Sequence, residues 1–217
     1  MRIDAPESTQ VDLAPGDLLS GAQRTALWRL QSGALCLQEA GADGNPVLVG
    51  VALPGDLIGV ERLWGGLANT GLRALIQSRL ALVARDPTPS QSQLLAQALM
   101  ESRRQCSDNM RLRTGPVAER VKCLLLMLSD PGRTGGRGPD IELPCALPSL
   151  RDMALVVDSA PETVSRVLGS LRRLDVLHDR KPKSVCFNRL DLRELKAMPG
   201  MTSSHVSAQR EETPSPA

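Results

Sequence analysis

The chain has 217 residues, with 26 basic and 24 acidic side chains and a formal charge of +2. That length can bury one large or two modest cores, and the near-balanced charge excludes a strongly basic protein. One Phe, two Trp and no Tyr argue against an aromatic platform for single-stranded nucleic acid. Five scattered cysteines without C-x-x-C spacing, no signal-peptide pattern and no apolar run of about 18 residues point to a reduced, cytoplasmic protein with no membrane contact.

Residues 1–12 are polar and are expected to fray. From Ala14 to about Arg85, short apolar runs alternate with turn signals such as Pro15-Gly16-Asp17, Asp43-Gly44-Asn45-Pro46 and Pro54-Gly55-Asp56. This spacing predicts antiparallel strands in a small barrel or sandwich. Leu35–Glu39, Pro46–Leu53, Leu72–Gln77 and Leu80–Val83 are the clearest strands, and the turn at Asp43 to Pro46 joins two of them as a hairpin. Residues 1–89 therefore form a first, β-rich domain.

Pro87 and Pro89 end the strand pattern, and Gln91 to Arg113 contains neither glycine nor proline, which predicts a long helix. Leu95, Leu99, Ser102, Cys106, Asn109 and Arg113 step by four and three along it. The spacing is that of a coiled-coil seam, so residues 90–113 are a candidate dimerisation helix and the chain its own partner; packing of the helix on its own β domain is the alternative. After Gly115-Pro116, a second helix is expected over Val117 to Ser129. Asp130 to Pro139 is a Gly-rich loop without the G-x-x-x-x-G-K-[ST] phosphate pattern, and Ile141 to Leu143 suggests a short strand.

The most informative stretch runs from Ser149 to Arg173. Leu150, Met153, Ala154 and Val157 fall at i, i+3, i+4, i+7 and form the apolar face of one helix, with Ser149 placed to cap it. Asp158 stands at the turn, where a left-handed backbone is needed. Pro161 then opens a second helix that turns Val164, Val167, Leu168 and Leu171 inward. Its other face carries Glu162, Ser165, Arg166, Gly169 and Arg173. Arginine can fork onto guanine and glutamate can accept from cytosine, so this face suits the major groove of double-stranded DNA. Next come a strand at Val176–Asp179, a basic turn at Arg180–Lys183, a strand at Ser184–Phe187 and a short helix at Asp191–Met198. The two strands and their turn make a wing, in which Lys181 and Lys183 hold phosphates. Residues 116–198 carry 14 basic and 11 acidic side chains, a weak excess where DNA is read. Residues 199–217 form a polar, disordered tail. Cys186, beside the basic wing, is a candidate partly exposed thiol and oxidation switch, with an ordinary half-buried strand residue as the alternative.

This order of parts resembles the Crp/Fnr superfamily of bacterial transcription factors. The resemblance rests on Pro15-Gly-Asp-Leu-Leu19, Leu30-Gln-Ser-Gly33 and Leu53-Pro-Gly-Asp-Leu-Ile-Gly59 in the β domain, on Val117 to Ser129, and above all on Glu162-Thr-Val-Ser-Arg166. It implies an α+β fold: an N-terminal β jelly-roll barrel of the cyclic-nucleotide-binding type, a dimerisation helix and a C-terminal winged helix-turn-helix. It also implies a homodimer that reads a pseudo-palindromic, TTGA-like site and contacts RNA polymerase. Glu162 and Arg166 would read bases with help from Ser165, and Thr163, Ser149, Arg173, Lys181 and Lys183 would complete the interface. Pro161 stands where cyclic-AMP receptor proteins carry an arginine, which favours the Fnr and FixK side.

No cofactor is expected. A cyclic-nucleotide cassette needs a Gly-Glu pair and an arginine for the phosphate; here Gly59-Val-Glu61 has an extra residue, and the arginine position falls near Ala68-Asn69-Thr70, with Arg73 a substitute only if the loop is rebuilt. An iron–sulfur cluster lacks its N-terminal cysteines, and His178 and His205 lie outside the β domain, which excludes histidine ligation of haem there. Cys36 and Cys106 are the remaining formal haem ligands, and both are better read as buried structural thiols. No catalytic or metal-ligand spacing marks an enzyme. The alternative function is an effector-binding or protein-interaction module whose winged helix docks a protein.

Overall fold

The protein is represented by a computed structural model that describes residues 9–20, 23, 26–41, 46–60, 71–83, 91–130, 143–181 and 184–195. Strands β1 (Gln10–Leu13), β2 (Trp28–Ser32), β3 (Leu35–Ala40), β4 (Pro46–Ala52), β5 (Leu57–Ile58), β6 (Gly71–Ala74) and β7 (Ser78–Leu82) occupy the N-terminal part. They make two sheets, one in the order β1-β7-β2-β5 and one in the order β4-β3-β6. Val11, Trp28, Leu30, Ile58 and Leu80 of the first sheet meet Leu35, Ala52, Leu72 and Ala74 of the second in one buried cluster, so this unit is a β sandwich.

The expected hairpin is present: β3 and β4 pair antiparallel from Leu35↔Ala52 to Ala40↔Pro46, while its turn at 42–45 lies outside the described residues. Contrary to the expectation that residues 1–12 fray, Gln10–Leu13 is a strand paired with β7. Val11 and Leu13 point inward, and Asp12 ion-pairs with Arg79 opposite it at 2.7 Å. Two polar residues hid a four-residue strand whose alternation is complete only beside its partner. Leu75–Gln77 leaves the expected strand, which ends at Ala74.

Helix α1 (Gln91–Arg113) begins and ends where expected, and α2 (Val117–Leu128) follows the break at Gly115. One side of α1 is pinned to the sandwich: Arg104 pairs with the fully buried Asp56, Glu101 Oε2 accepts from Leu57 N at 2.9 Å, Asn109 Nδ2 donates to Val49 O at 3.1 Å, and Arg113 Nη2 donates to Leu48 O at 3.1 Å. This corrects the expected seam. Asn109 and Arg113 face their own β4, whereas Ser92, Ala96, Leu99, Arg103, Cys106 and Met110, again stepping by four and three, are all exposed.

The C-terminal part holds β8 (Leu143–Ala146), α3 (Leu150–Val156), α4 (Pro161–Arg173), β9 (His178–Lys181), β10 (Ser184–Phe187) and α5 (Arg189–Glu194), with the strands in the order β8-β10-β9. Ile141 and Glu142 of the expected strand lie outside the described residues, from Leu143 the strand runs to Ala146 in a register set by β10, and the first wing strand sits at His178–Lys181 instead of Val176–Asp179. α5 begins two residues before the expected Asp191, since the Asn188 side chain caps it by accepting from Leu190 N at 2.9 Å. Residues 131–142, containing most of the expected loop, and 196–217, containing the expected tail, lie outside the described residues. One apolar cluster runs through α2, α3, α4 and α5 and continues into Cys36, Leu48 and Val51 of the sandwich.

Two predictions concern this core. Gly33 has φ +94°, and a Cβ there would lie 2.2 Å from Ser78 Oγ and 2.5 Å from Gln77 O; Gly33→Ala is expected to cost about 2–4 kcal/mol in denaturant unfolding. Burial pushes the Cys36 thiol, against the effect of Arg73, up to about 11 and the Cys145 thiol up to about 12 from an ordinary 9.0. A folded value above the unfolded one means that the thiols' contribution is complete below pH 9.0 and is lost as the pH rises through about 11 to 12. Unfolding free energy measured against pH should therefore fall on the alkaline side, and less steeply in Cys36→Ala.

Candidate nucleic-acid interface

Helix α4 is built by local rules and held by its neighbours. Ser149 caps α3, its Oγ accepting from Asp152 N at 3.1 Å. At the other end Asp158 takes φ 48°, Ser159 N donates to Ala154 O at 2.9 Å and Asp158 N donates to Leu155 O at 3.4 Å. Those two bonds are a Schellman stop, with aspartate in the left-handed position usually held by glycine. Pro161 occupies the first turn of α4, and Glu162 adds a negative charge near the positive end of the helix.

Val164, Val167, Leu168 and Leu171 are buried as expected, and Glu162, Ser165, Arg166 and Arg173 are exposed. Between them lies Gly169, where an added Cβ would meet nothing within 4 Å, so the polar face of α4 is open along its length. Arg166 Nη2 donates to Thr163 Oγ1 at 3.2 Å, which orients the guanidinium along the exposed face. The structure thus brings Glu162, Thr163, Ser165, Arg166 and Arg173 onto one helix, with Ser149 exposed at the start of α3. Arg173 Nη2 donates to Ser170 Oγ at 2.9 Å. The backbone of Lys181 closes β9, and its side chain and the whole of Lys183 lie outside the described residues.

Three features escaped sequence reasoning. Arg120 of α2 donates through Nη1 to Val157 O at 2.6 Å and Asp158 O at 3.0 Å, so a residue 37 positions away braces the turn. Arg172, next to Arg173 in sequence, forks onto Asp179 of β9 at 2.9 to 3.2 Å and ties α4 to the wing. Asp175, with φ 58°, ends α4 as Asp158 ends α3: Val176 N donates to Leu171 O at 3.1 Å. Only this last was legible, since an Asp follows the periodic run in both helices.

Three expected placements are corrected here. Leu150 is 43% exposed and does not belong to the buried face of α3, where Val156 joins Met153, Ala154 and Val157 instead; α3 begins at Leu150, and its first turn projects beyond the core. Cys186 is 0% exposed and sits within the sheet, not partly exposed beside the basic turn, because β10 is the central strand between β8 and β9. Cys36 is buried as expected, but Cys106, expected to be a buried structural thiol, is exposed, because it lies on the stripe of α1 that the sandwich does not cover.

A cavity of about 180 Å³ lies between the sandwich and α1, walled by Leu19, Trp28, Ile58 and Leu72 and reached by Glu101 and Gln105. Glu101 is the charged side chain among its described lining residues. Arg73 is not there: its guanidinium is spent on Asp152, at 2.7 Å. The Ala68–Thr70 segment lies outside the described residues.

Replacing Arg120 by Ala should release the end of α3 and the turn, lowering stability by about 1.5–3 kcal/mol for hydrogen bonds to a charged donor, read as the denaturant midpoint at unchanged slope.

No family model matches the chain, and no curated protein does either. Solved structures do. FixK2 from Bradyrhizobium japonicum is 24% identical with a TM-score of 0.63, over 87% of this chain and 97% of that one. A CRP-family transcriptional regulator from Thermus thermophilus is 23% identical with a TM-score of 0.60, over 88% of this chain and 100% of that one. A CRP/FNR-family transcriptional regulator from the same organism is 23% identical with a TM-score of 0.55, over 86% and 97%. A β sandwich, a long helix and a helix-turn-helix with a β wing, matched along nearly the full length of these proteins, give the chain the fold of the Crp/Fnr transcriptional regulators.

Proposed function

We propose that this protein is a sequence-specific DNA-binding transcription regulator that reads a pseudo-palindromic, TTGA-like site as a homodimer. The observation that carries the proposal is the division of α4: Val164, Val167, Leu168 and Leu171 are buried, while Glu162, Ser165 and Arg166 are exposed around an open Gly169. That division is what a helix lying in a major groove requires. Similar solved structures described as transcriptional regulators support it.

A second copy is the natural cover for the outer side of α1. Leu99 is 71% exposed and Met110 62% exposed, and they share with Ser92, Ala96, Arg103 and Cys106 a seven-residue repeat that a parallel partner helix would match. Pairing there gives two copies of α4 related by a two-fold axis, suited to half-sites ~34 Å apart. The same reading has the sandwich cavity take no cyclic nucleotide, because no arginine is among its described lining residues and Arg73 is paired with Asp152.

Selection of bound duplexes from a random pool tests the proposal, followed by titration of the selected site at several salt concentrations. The expected result is a two-fold symmetric consensus with TTGA-like halves and an affinity that falls steeply with salt. Arg166→Ala should lose about 1–3 kcal/mol on that site and relax preference at one base pair per half. A flat salt response with no enriched sequence would instead favour a winged helix that docks a protein.

A further inference from the structure

Around Cys36 both faces of the β4-β3-β6 sheet are covered, and the outer face carries a charge with an assignment of its own. Val51 pairs with Cys36, and Cys36 with Arg73, so the three side chains form one row across the sheet. Val51 and Cys36 are buried in the same cluster as Met153, Ala154 and Val157, which places the row under α3. Arg73 ends the row, and its Nη2 donates to Asp152 Oδ1 at 2.7 Å, 79 positions away in sequence. Both side chains are largely covered, 22% and 18% exposed.

Asp152 is fully engaged. Its Oδ2 accepts from Ser149 Oγ at 2.7 Å, and its own amide donates back to that hydroxyl at 3.1 Å. One carboxylate thus joins the sandwich to the cap of α3. Burial works against the Arg73 charge, but the hydrogen bond and charge of Asp152 outweigh it, and the guanidinium pKa stands above its ordinary value. An ion pair of this kind, directional and partly desolvated, fixes geometry more than it adds stability. Apolar packing alone would let α3 slide along the sheet; the Arg73–Asp152 pair sets its register. Because α3 and α4 share one core, the position of α4 follows.

The geometry points to Arg73 as a positioning residue for DNA reading: it clasps α3 to the outer face of the sandwich and thereby fixes where α4 sits relative to the rest of the chain. This rests on the DNA-binding proposal for α4.

The test compares full-length Arg73→Gln, Asp152→Asn, the double variant and Arg73→Lys, by fluorescence anisotropy on the selected duplex and by hydrogen exchange without DNA. Each of the first two should weaken binding about tenfold, within the usual range of a coupling between sites. The double variant should be no worse than the weaker single, and Arg73→Lys should keep most of the affinity. Exchange at the amides of residues 153–157 should quicken in Arg73→Gln while α2 stays protected. Binding by both single variants at wild-type strength, or losses that multiply in the double variant, would overturn the clasp. If the wild type selects no duplex, the DNA reading itself fails; exchange then decides the clasp alone, and unchanged protection in Arg73→Gln and Asp152→Asn rejects it.

Discussion

Burial of both faces of the β4-β3-β6 sheet around Leu35 and Cys36 is the constraint on which the remaining structure depends. Its inner face supplies Leu35, Leu72 and Ala74 to the sandwich core, and its outer face supplies Cys36 and Val51 to the core of the helix-turn-helix. Strand side chains alternate, so a shift of one residue would exchange the two sets and spoil both cores together. The register of three short strands therefore ties the N-terminal fold to the placement of α3 and α4. α1 adds to this by clamping the sandwich through Arg104 on Asp56 and Glu101 on Leu57, while Arg113 holds Leu48 from its C-terminal end.

Within the C-terminal part, the helix pair uses aspartate at two stops where other proteins use glycine. Asp158 and Asp175 both adopt left-handed backbones, at φ 48° and 58°. Each such residue is strained unless its surroundings determine it. Around Asp158 the determination comes from Arg120, which holds two consecutive carbonyls. The turn that aims α4 is accordingly set from α2 as well as from its own sequence. At the far end, the Arg172–Asp179 fork couples α4 to the wing, leaving Arg173 and Arg166 to point away from the protein. Of the adjacent arginines, Arg172 thereby holds the domain together and Arg173 stays exposed.

Much of the fold was legible before any tertiary contact was known. Gln91–Arg113 lacks helix breakers and lies between proline and glycine signals, so its limits follow from backbone chemistry alone. The faces of α4 follow from its 3.6-residue period. β1 was not legible: Gln10 and Asp12 leave two apolar residues, too few to stand out until β7 lies beside them. Likewise the seam on α1 could be drawn along two neighbouring stripes, one through Ser102 and Asn109 and one through Arg103 and Met110, because heptad counting does not say which stripe its own sandwich covers.

The sequence by itself determined the helix-turn-helix, with its Asp158 turn, the buried face of Val164, Val167, Leu168 and Leu171, and the candidate readers Glu162, Ser165 and Arg166. These depend on hydrogen bonds and side-chain spacing within about a dozen residues, where the local chain carries the information. Only the tertiary structure decided that Arg73 meets Asp152 and not a ligand, that Cys186 lies in a central strand away from solvent, that Leu150 leaves the core, and which stripe of α1 remains uncovered. Each of these depends on a partner distant in sequence, and packing between distant segments selects one of several faces that the local pattern leaves equivalent.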